Sequence, residues 1–271
     1  MKVKELNIYP IKSCAPIKSK ELNFNSVGAK DDRSMLIVDK NGRFLTQREF
    51  PKMCQITPIL REGKWTVHAP EMPEMFLKNE IEDIKYKSET GIRKINIWKD
   101  EVLAYEFDRN ISQWFSDFLK IECSLVQMGD KSHRPYSLES REISFVDHSP
   151  LLIITSASLE ALNSKLSSPI PMDRFRPSIV IDNVVLPFLE DSWRMIKLGN
   201  MTLNFARECT RCIMICIDQV TAEVKSGPLK TLSTFRKRLA DNKIIFGSYY
   251  YHQGVGKIEV GDKLTVLSPQ S

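Results

Sequence analysis

The 271 residues are 42% hydrophobic, enough for one large core or two modest ones, and two domains are expected at this length. No apolar run approaches the roughly 20 residues of a bilayer-crossing helix, and no apolar leader opens the chain, so a cytoplasmic protein, neither exported nor membrane-spanning, is expected. The net charge of +5 is spread among acids and offers no continuous face for nucleic acid, while six irregularly spaced cysteines read as reduced thiols.

Short β-type runs broken by turn residues fill the first ~125 residues. Val3 to Ile8 leads into Tyr9-Pro10, and Ser34 to Val38 is predicted to pair with Arg43 to Thr46 across Asn41-Gly42, a strong hairpin signal. A second hairpin is expected between Ile56 to Leu60 and Trp65 to His68. An amphipathic helix follows, with Asn110 as N-cap and Ile111, Trp114, Phe115, Phe118 and Leu119 as its apolar stripe. Polar residues from Met128 to Glu142 mark the domain junction, giving domains 1–127 and 128–271.

Beyond it the pattern predicts a strand at Leu151 to Thr155, a helix near Ser158 to Leu166, and strands at Ser178 to Ile181 and Met201 to Ala206. Pro228 is a good first residue for a helix that turns Leu229, Leu232, Phe235 and Leu239 inward. Lys257 to Val260 and Lys263 to Leu267, joined by Gly261-Asp262, read as a closing hairpin. The whole is mainly β with some α.

Four segments carry the chemistry: Tyr9-Pro10-Ile11-Lys12-Ser13-Cys14; Asp32-Arg33 with Thr46-Gln47-Arg48-Glu49; Arg174-Phe175-Arg176-Pro177; and Cys209-Thr210-Arg211-Cys212. Lys12, Arg33 and Arg176 stand at strand ends or turns, where a phosphorylated ligand finds charge-assisted donors, although a lone cation is more often a solvated one. Ser13 adds a hydroxyl, or is an ordinary turn residue. The C-x-x-C could be half a zinc site, a redox pair or two buried thiols. No second ligand pair supports zinc, and a redox pair usually opens a helix, whereas this one follows a strand. A soft thiolate beside Arg211 is also a good ligand for a high-valent metal.

In this order and at these intervals the four segments closely resemble the MOSC family with its N-terminal β-barrel partner domain, the group that includes the amidoxime-reducing components. That resemblance implies an N-terminal MOSC-type β-barrel domain followed by a MOSC β-barrel domain with short flanking helices. It implies a molybdenum cofactor (Mo-molybdopterin) with Cys212 as the metal ligand, and Lys12, Ser13, Arg33, Arg176 and Arg211 around the cofactor. Asp147-His148-Ser149-Pro150 matches a family segment lining the cofactor pocket. His148 and Ser149 would then touch the cofactor and Asp147 would supply or relay a proton, the alternatives being a satisfied polar histidine and a turn cap. After the metal cysteine many relatives read Thr-Thr-Val-Asp-Pro with a following Thr-Gly. Here Ile213 to Ala222 keeps only Asp218, which puts the loop shape and substrate preference in doubt.

The implied reaction is reduction of a small N-hydroxylated substrate, an amidoxime or hydroxylamine. Neither a cluster nor a nicotinamide-binding G-x-G-x-x-G is present, so electrons would come from a separate redox protein. The rivals are a carrier of the cofactor or of a Cys212 persulfide, and a non-catalytic interaction module.

Overall fold

The computed structural model describes residues 1–77, 91–138 and 141–269. The chain opens with β1 (Lys2–Ile8), β2 (Ile17–Ser19) and β3 (Glu21–Phe24), followed by β4 (Met35–Asp39), whose first four residues are buried. A hairpin of β5 (Thr57–Arg61) and β6 (Lys64–His68) is extended by β7 (Met75–Leu77). A longer hairpin, β8 (Ile92–Ile97) and β9 (Asp100–Glu106), leads to helix α1 (Arg109–Leu119) and β10 (Cys123–Gln127).

The second half runs through β11 (Leu151–Thr155), α2 (Ser156–Asn163), β12 (Ile179–Asp182), β13 (Trp193–Leu198) and β14 (Met201–Thr210). It ends with α3 (Gly227–Ser233), β15 (Ile245–His252), β16 (Gly256–Glu259) and β17 (Leu264–Pro269). The fold is mainly β, with curled half-barrel sheets. Among the described residues no helix is long and apolar enough to cross a membrane.

One eight-stranded sheet, in the order β17-β13-β14-β15-β11-β12-β1-β2, and one four-stranded sheet, β4-β10-β9-β8, form the frame. The larger sheet takes its last two strands from the start of the chain: β1 pairs antiparallel with β12 and with β2, while β3 pairs with β16 in a separate two-stranded sheet. The partner of β12 on its other side is β11, and their pairing is parallel. Buried aliphatics Val3, Leu6, Ile153, Ile179 and Ile181 therefore share one core. Burial of such side chains, each worth about 1.5–3 kcal/mol, sets this register.

Several expectations need correction. Arg43 to Thr46 forms no regular strand. Its Phe44 makes one bridge to Val38 and its backbone also bonds Asn96 of β8, so the segment is shared between two neighbours. Helix α1 buries the predicted stripe, but its N-cap is Asp108, not Asn110, and the chain leaves through Lys120 in the left-handed region. Helix α3 buries Leu232, while Leu239 lies beyond it and is 96% exposed. β16 and β17 do not pair with each other: β16 joins β3 and β17 joins β13, so the closing hairpin is absent. Strand β14 runs to Thr210, four residues further than its apolar pattern indicates.

Candidate functional site

A cavity of about 670 Å³ opens where β1, β14 and β15 meet the loops before β11 and β12. All nine predicted site residues, Lys12, Ser13, Arg33, Asp147, His148, Ser149, Arg176, Arg211 and Cys212, line it. Its wall carries eight cationic side chains and one carboxylate, Asp147.

Strand β1 delivers the first segment. Beyond Ile8, the Lys12 N–H donates to the Met35 carbonyl (2.9 Å), and Ser13 turns at φ +66°. The Lys12 ammonium is almost wholly buried; it donates to Asp147 Oδ1 at 2.6 Å and to the Phe145 carbonyl at 2.8 Å. Burial pushes its pKa down to about 8, against the pull of Asp147. Burial would raise the Asp147 carboxyl, but Lys12, then Arg48 and Arg33, outweigh it and hold the carboxyl at about 2. Buried Arg134 donates to the Ser144 and Val146 carbonyls (both 2.6 Å) and so fixes the backbone just before Asp147.

Tyr9 is fully buried and lies beneath two guanidinium groups, Arg33 at 4.2 Å and Arg176 at 4.3 Å from its ring centre. Its hydroxyl donates to the Pro177 carbonyl (3.2 Å). Both arginines have left-handed backbones, φ +49° and +55°. Arg33 pairs with Asp32 at 2.5 Å, whereas the buried Nη1 of Arg176 has no hydrogen-bond partner. Burial and then Arg33 lower the pKa of Arg176. A buried guanidinium nitrogen without a partner is costly unless an acceptor arrives, so this wall suits an anionic ligand.

Cys212 stands two residues beyond β14, and its carbonyl accepts from Ile215 N–H (3.4 Å) to open a four-residue 3-10 turn. It is the one half-buried cysteine; the other five are buried, and all six are free thiols. Arg211 is anchored by donating Nε to the Phe246 carbonyl (2.8 Å) and Nη1 to the Phe175 carbonyl (2.9 Å), with Nη2 buried and unpartnered. Burial raises the Cys209 thiol, against Arg211, so Cys209 stays neutral. His148 donates to or accepts from Ser149 Oγ (2.9 Å) and stacks on Tyr249 at 5.9 Å. Burial, then Arg207 and Arg134, push its pKa down.

The divergent loop after Cys212 is closed by Asp218. Its Oδ1 accepts from the N–H groups of Val220 and Thr221 (both 3.0 Å), and its Oδ2 accepts from Arg174 at 2.6 Å. Ala222 takes the left-handed position, φ +61°, without glycine. Gln219 reaches across to the first half and exchanges amide hydrogen bonds with Gln47 (3.3 and 3.2 Å), whose Nε2 also holds the Ser13 carbonyl at 2.7 Å.

Trp98, Arg207 and Tyr249 on the wall escape the sequence reading, and Arg48 lies in one of its four segments without an assigned role. Arg48 lies 4.9 Å over the Trp98 ring, and Trp98 Nε1 donates to Asp147 Oδ1 (3.3 Å) from the tip of the β8–β9 hairpin. A tryptophan at φ +57° in a two-residue turn, half exposed beside a cavity, is their one signal, and it is legible only once the hairpin is known.

Curled β-sheets around a cationic cavity with a single accessible thiol define the class, and the chain belongs to the MOSC family: residues 1–122 match the MOSC N-terminal beta barrel domain and residues 140–265 the MOSC domain. Among curated relatives, it is 29% identical over 96% of its length to mitochondrial amidoxime reducing component 2 of Homo sapiens, covering 82% of that protein. It is 29% identical to mitochondrial amidoxime-reducing component 1 of Mus musculus, over 98% of this chain and 82% of that one. It also matches the molybdenum cofactor sulfurase of Oryza sativa subsp. japonica at 27% identity, over 90% of this chain but only 32% of that protein.

Proposed function

We propose that this chain is a molybdenum-cofactor-dependent reductase of N-hydroxylated compounds of the amidoxime or hydroxylamine type, with Cys212 as the protein's thiolate ligand to the metal. The observation that carries this reading is the pairing of one accessible thiol with a wall of eight cations and one carboxylate. Lys12, Arg33 and Arg176 fit a phosphorylated pterin, and the unpartnered Arg176 Nη1 offers it a free donor. Among the described residues no three His, Cys, Asp or Glu side chains converge as a metal cage, which suits a metal that draws its other ligands from a non-protein group.

When bound, the cofactor supplies a two-electron centre able to accept the oxygen of an N–O bond. The chain's own residues bind and orient. Arg211, tied to two backbone carbonyls, fixes the loop that presents Cys212, and Ser13, His148 and Ser149 supply polar contacts. Asp147 remains ionised at neutral pH with no proton to give, so in this reading it holds Lys12, which is the member of the pair with a proton to give. Electrons are supplied by a separate redox protein. The names of the amidoxime-reducing relatives support the substrate class, and six free thiols suit a reducing compartment, the cytoplasm or, by the relatives' names, the mitochondrion.

The match to a molybdenum cofactor sulfurase favours a second reading, a carrier of the cofactor or of a Cys212 persulfide. Molybdenum per chain, measured by elemental mass spectrometry on protein from a cofactor-competent host, and amidoxime reduction with a supplied donor separate the two. Stoichiometric metal lost in Cys212→Ala, together with turnover, supports the reductase. Metal without turnover favours the carrier, and no metal while a control enzyme loads fully rejects both cofactor readings.

A further inference from the structure

One cation of the cavity stands without a partner among the described residues. Arg207 is half-buried and lines the cavity, yet among the described residues its guanidinium makes no ion pair, hydrogen bond or ring contact. Each of the other seven is tied to a carboxylate, an aromatic ring or a backbone carbonyl.

Its direction comes from an irregularity in the sheet. On β14, Phe205 stands opposite Tyr250, but Arg207 stands opposite Tyr249, so two steps along β14 face one step along β15. Phe205 packs edge-on against Tyr250 at 6.0 Å, toward the apolar core. In a regular strand Arg207 would follow Phe205 to that same side. The bulge at Ala206 turns it to the side of Tyr249, onto the cavity wall, and bulges beside active sites commonly re-aim a side chain in this way.

The neighbours leave this charge uncompensated. His148, also on the wall, is itself disfavoured as a cation by Arg207. Asp147, the only carboxylate of the wall among the described residues, is already held by Lys12 and Trp98. Lys12, Arg33 and Arg176 provide for the cofactor's phosphate on the side of Tyr9, which leaves Arg207 for a different anion.

We propose that Arg207 anchors a second anion subsite, which takes an acidic group, carboxylate or phosphate, carried by the substrate. The substrate class of this chain is therefore N-hydroxylated compounds that also bear an acid. This rests on the reductase reading for the reacting group, while the anion contact is independent of it.

The test compares cofactor-loaded wild type, R207Q and the charge-keeping R207K on benzamidoxime, para-carboxybenzamidoxime and para-phosphonobenzamidoxime with one electron donor. Calorimetry follows binding of benzamidine and para-carboxybenzamidine, which are not reduced, and molybdenum per chain is measured for each protein. Wild type is expected to favour an acid-bearing compound by about ten-fold or more in kcat/KM and in Kd, the size of one charge-assisted contact. That ratio should fall toward one in R207Q and be largely kept in R207K. The stronger of the carboxylate and phosphonate arms identifies the acid. A ratio near one in wild type, a ratio unchanged in R207Q, or loss of molybdenum in R207Q, which would give Arg207 to the cofactor, overturns the subsite. If wild type reduces none of the compounds but binds para-carboxybenzamidine through Arg207, the reductase reading fails and the subsite stands.

Discussion

Lys12 Nζ lies 2.6 Å from Asp147 Oδ1, so a buried lysine from the start of the chain is neutralised by a carboxylate 135 residues later. The pair titrates at both ends of the pH range. Asp147 has its folded pKa at about 2, below the ordinary 3.8; its stabilisation is full above pH 3.8 and is lost as pH falls toward 2. Lys12 has its folded pKa at about 8, below the ordinary 10.5. Between these values the unfolded chain holds a proton the folded one lacks, so this residue makes the fold more stable as pH rises through that window. For an anionic ligand the direction reverses, because deprotonated Lys12 no longer attracts it. Affinity of cofactor-free protein for inorganic phosphate should fall by up to about ten-fold per pH unit above the Lys12 pKa. Calorimetry on wild type and Lys12→Met checks this: the mutant curve should be flat over the same range.

Cysteine accessibility gives a direct readout on the protein without its cofactor. Cys14, Cys54, Cys123, Cys209 and Cys216 are all buried, and of the two cysteines on the cavity wall, Cys209 and Cys212, Cys212 is the half-buried one. Brief alkylation with iodoacetamide followed by peptide mass spectrometry should mark Cys212 first, by an order of magnitude or more, and inorganic phosphate in the cavity should slow it. Equal labelling of Cys209 would contradict the burial seen here.

Tyr9 positions Arg33 and Arg176 by lying under both guanidinium groups. Tyr9→Phe keeps the ring and loses one hydrogen bond, a cost of about 1 kcal/mol. Tyr9→Leu loses both cation–π contacts, about 0.5–2 kcal/mol each, and leaves a packing defect. Urea unfolding should rank wild type, Phe and Leu in that order, and phosphate affinity should drop markedly only in Tyr9→Leu.

Gly247 on β15 sits at φ +75°, where a Cβ would meet Ile154 Cγ1 at 2.6 Å and the Ile153 carbonyl oxygen at 2.9 Å. The preceding carbonyl, that of Phe246, holds Arg211 Nε. Gly247→Ala should therefore destabilise by about 2–4 kcal/mol, from overpacking and backbone strain together, and loosen the Cys212 loop. Thermal unfolding measures the first effect and faster alkylation of Cys212 the second.

How far the sequence reveals this site differs from residue to residue. Lys12, Arg33, Arg176 and Cys212 lie in compact motifs whose order and spacing point to them, and the cavity gathers them all. The helix stripe from Ile111 to Leu119 is equally legible, because a 3.6-residue period survives without knowledge of neighbours. What is hidden depends on partners distant in the chain. Arg207 lies one residue past the strand expected at Met201 to Ala206, and its direction shows only once the β14–β15 bulge is seen. Arg43 to Thr46 looks like a strand by its turn signal, yet competition between β4 and β8 for its backbone leaves only bridges. Lys257 to Leu267 has the pattern of a hairpin, but β3 and β13 take its two arms apart.

The pairing of β1 with β12 also sets a timetable for the protein's synthesis. Strand β1 leaves the ribosome first, but the edge it must join is made about 170 residues later, roughly 10–30 s at ordinary elongation rates. Until then the strand that leads to Tyr9 and Lys12 has only β2 to pair with, and the edge that faces β12 stays open. The cationic wall is complete only once β12 has paired with β1, so an anionic ligand of the cavity would be captured late rather than serve as a seed around which the chain collapses.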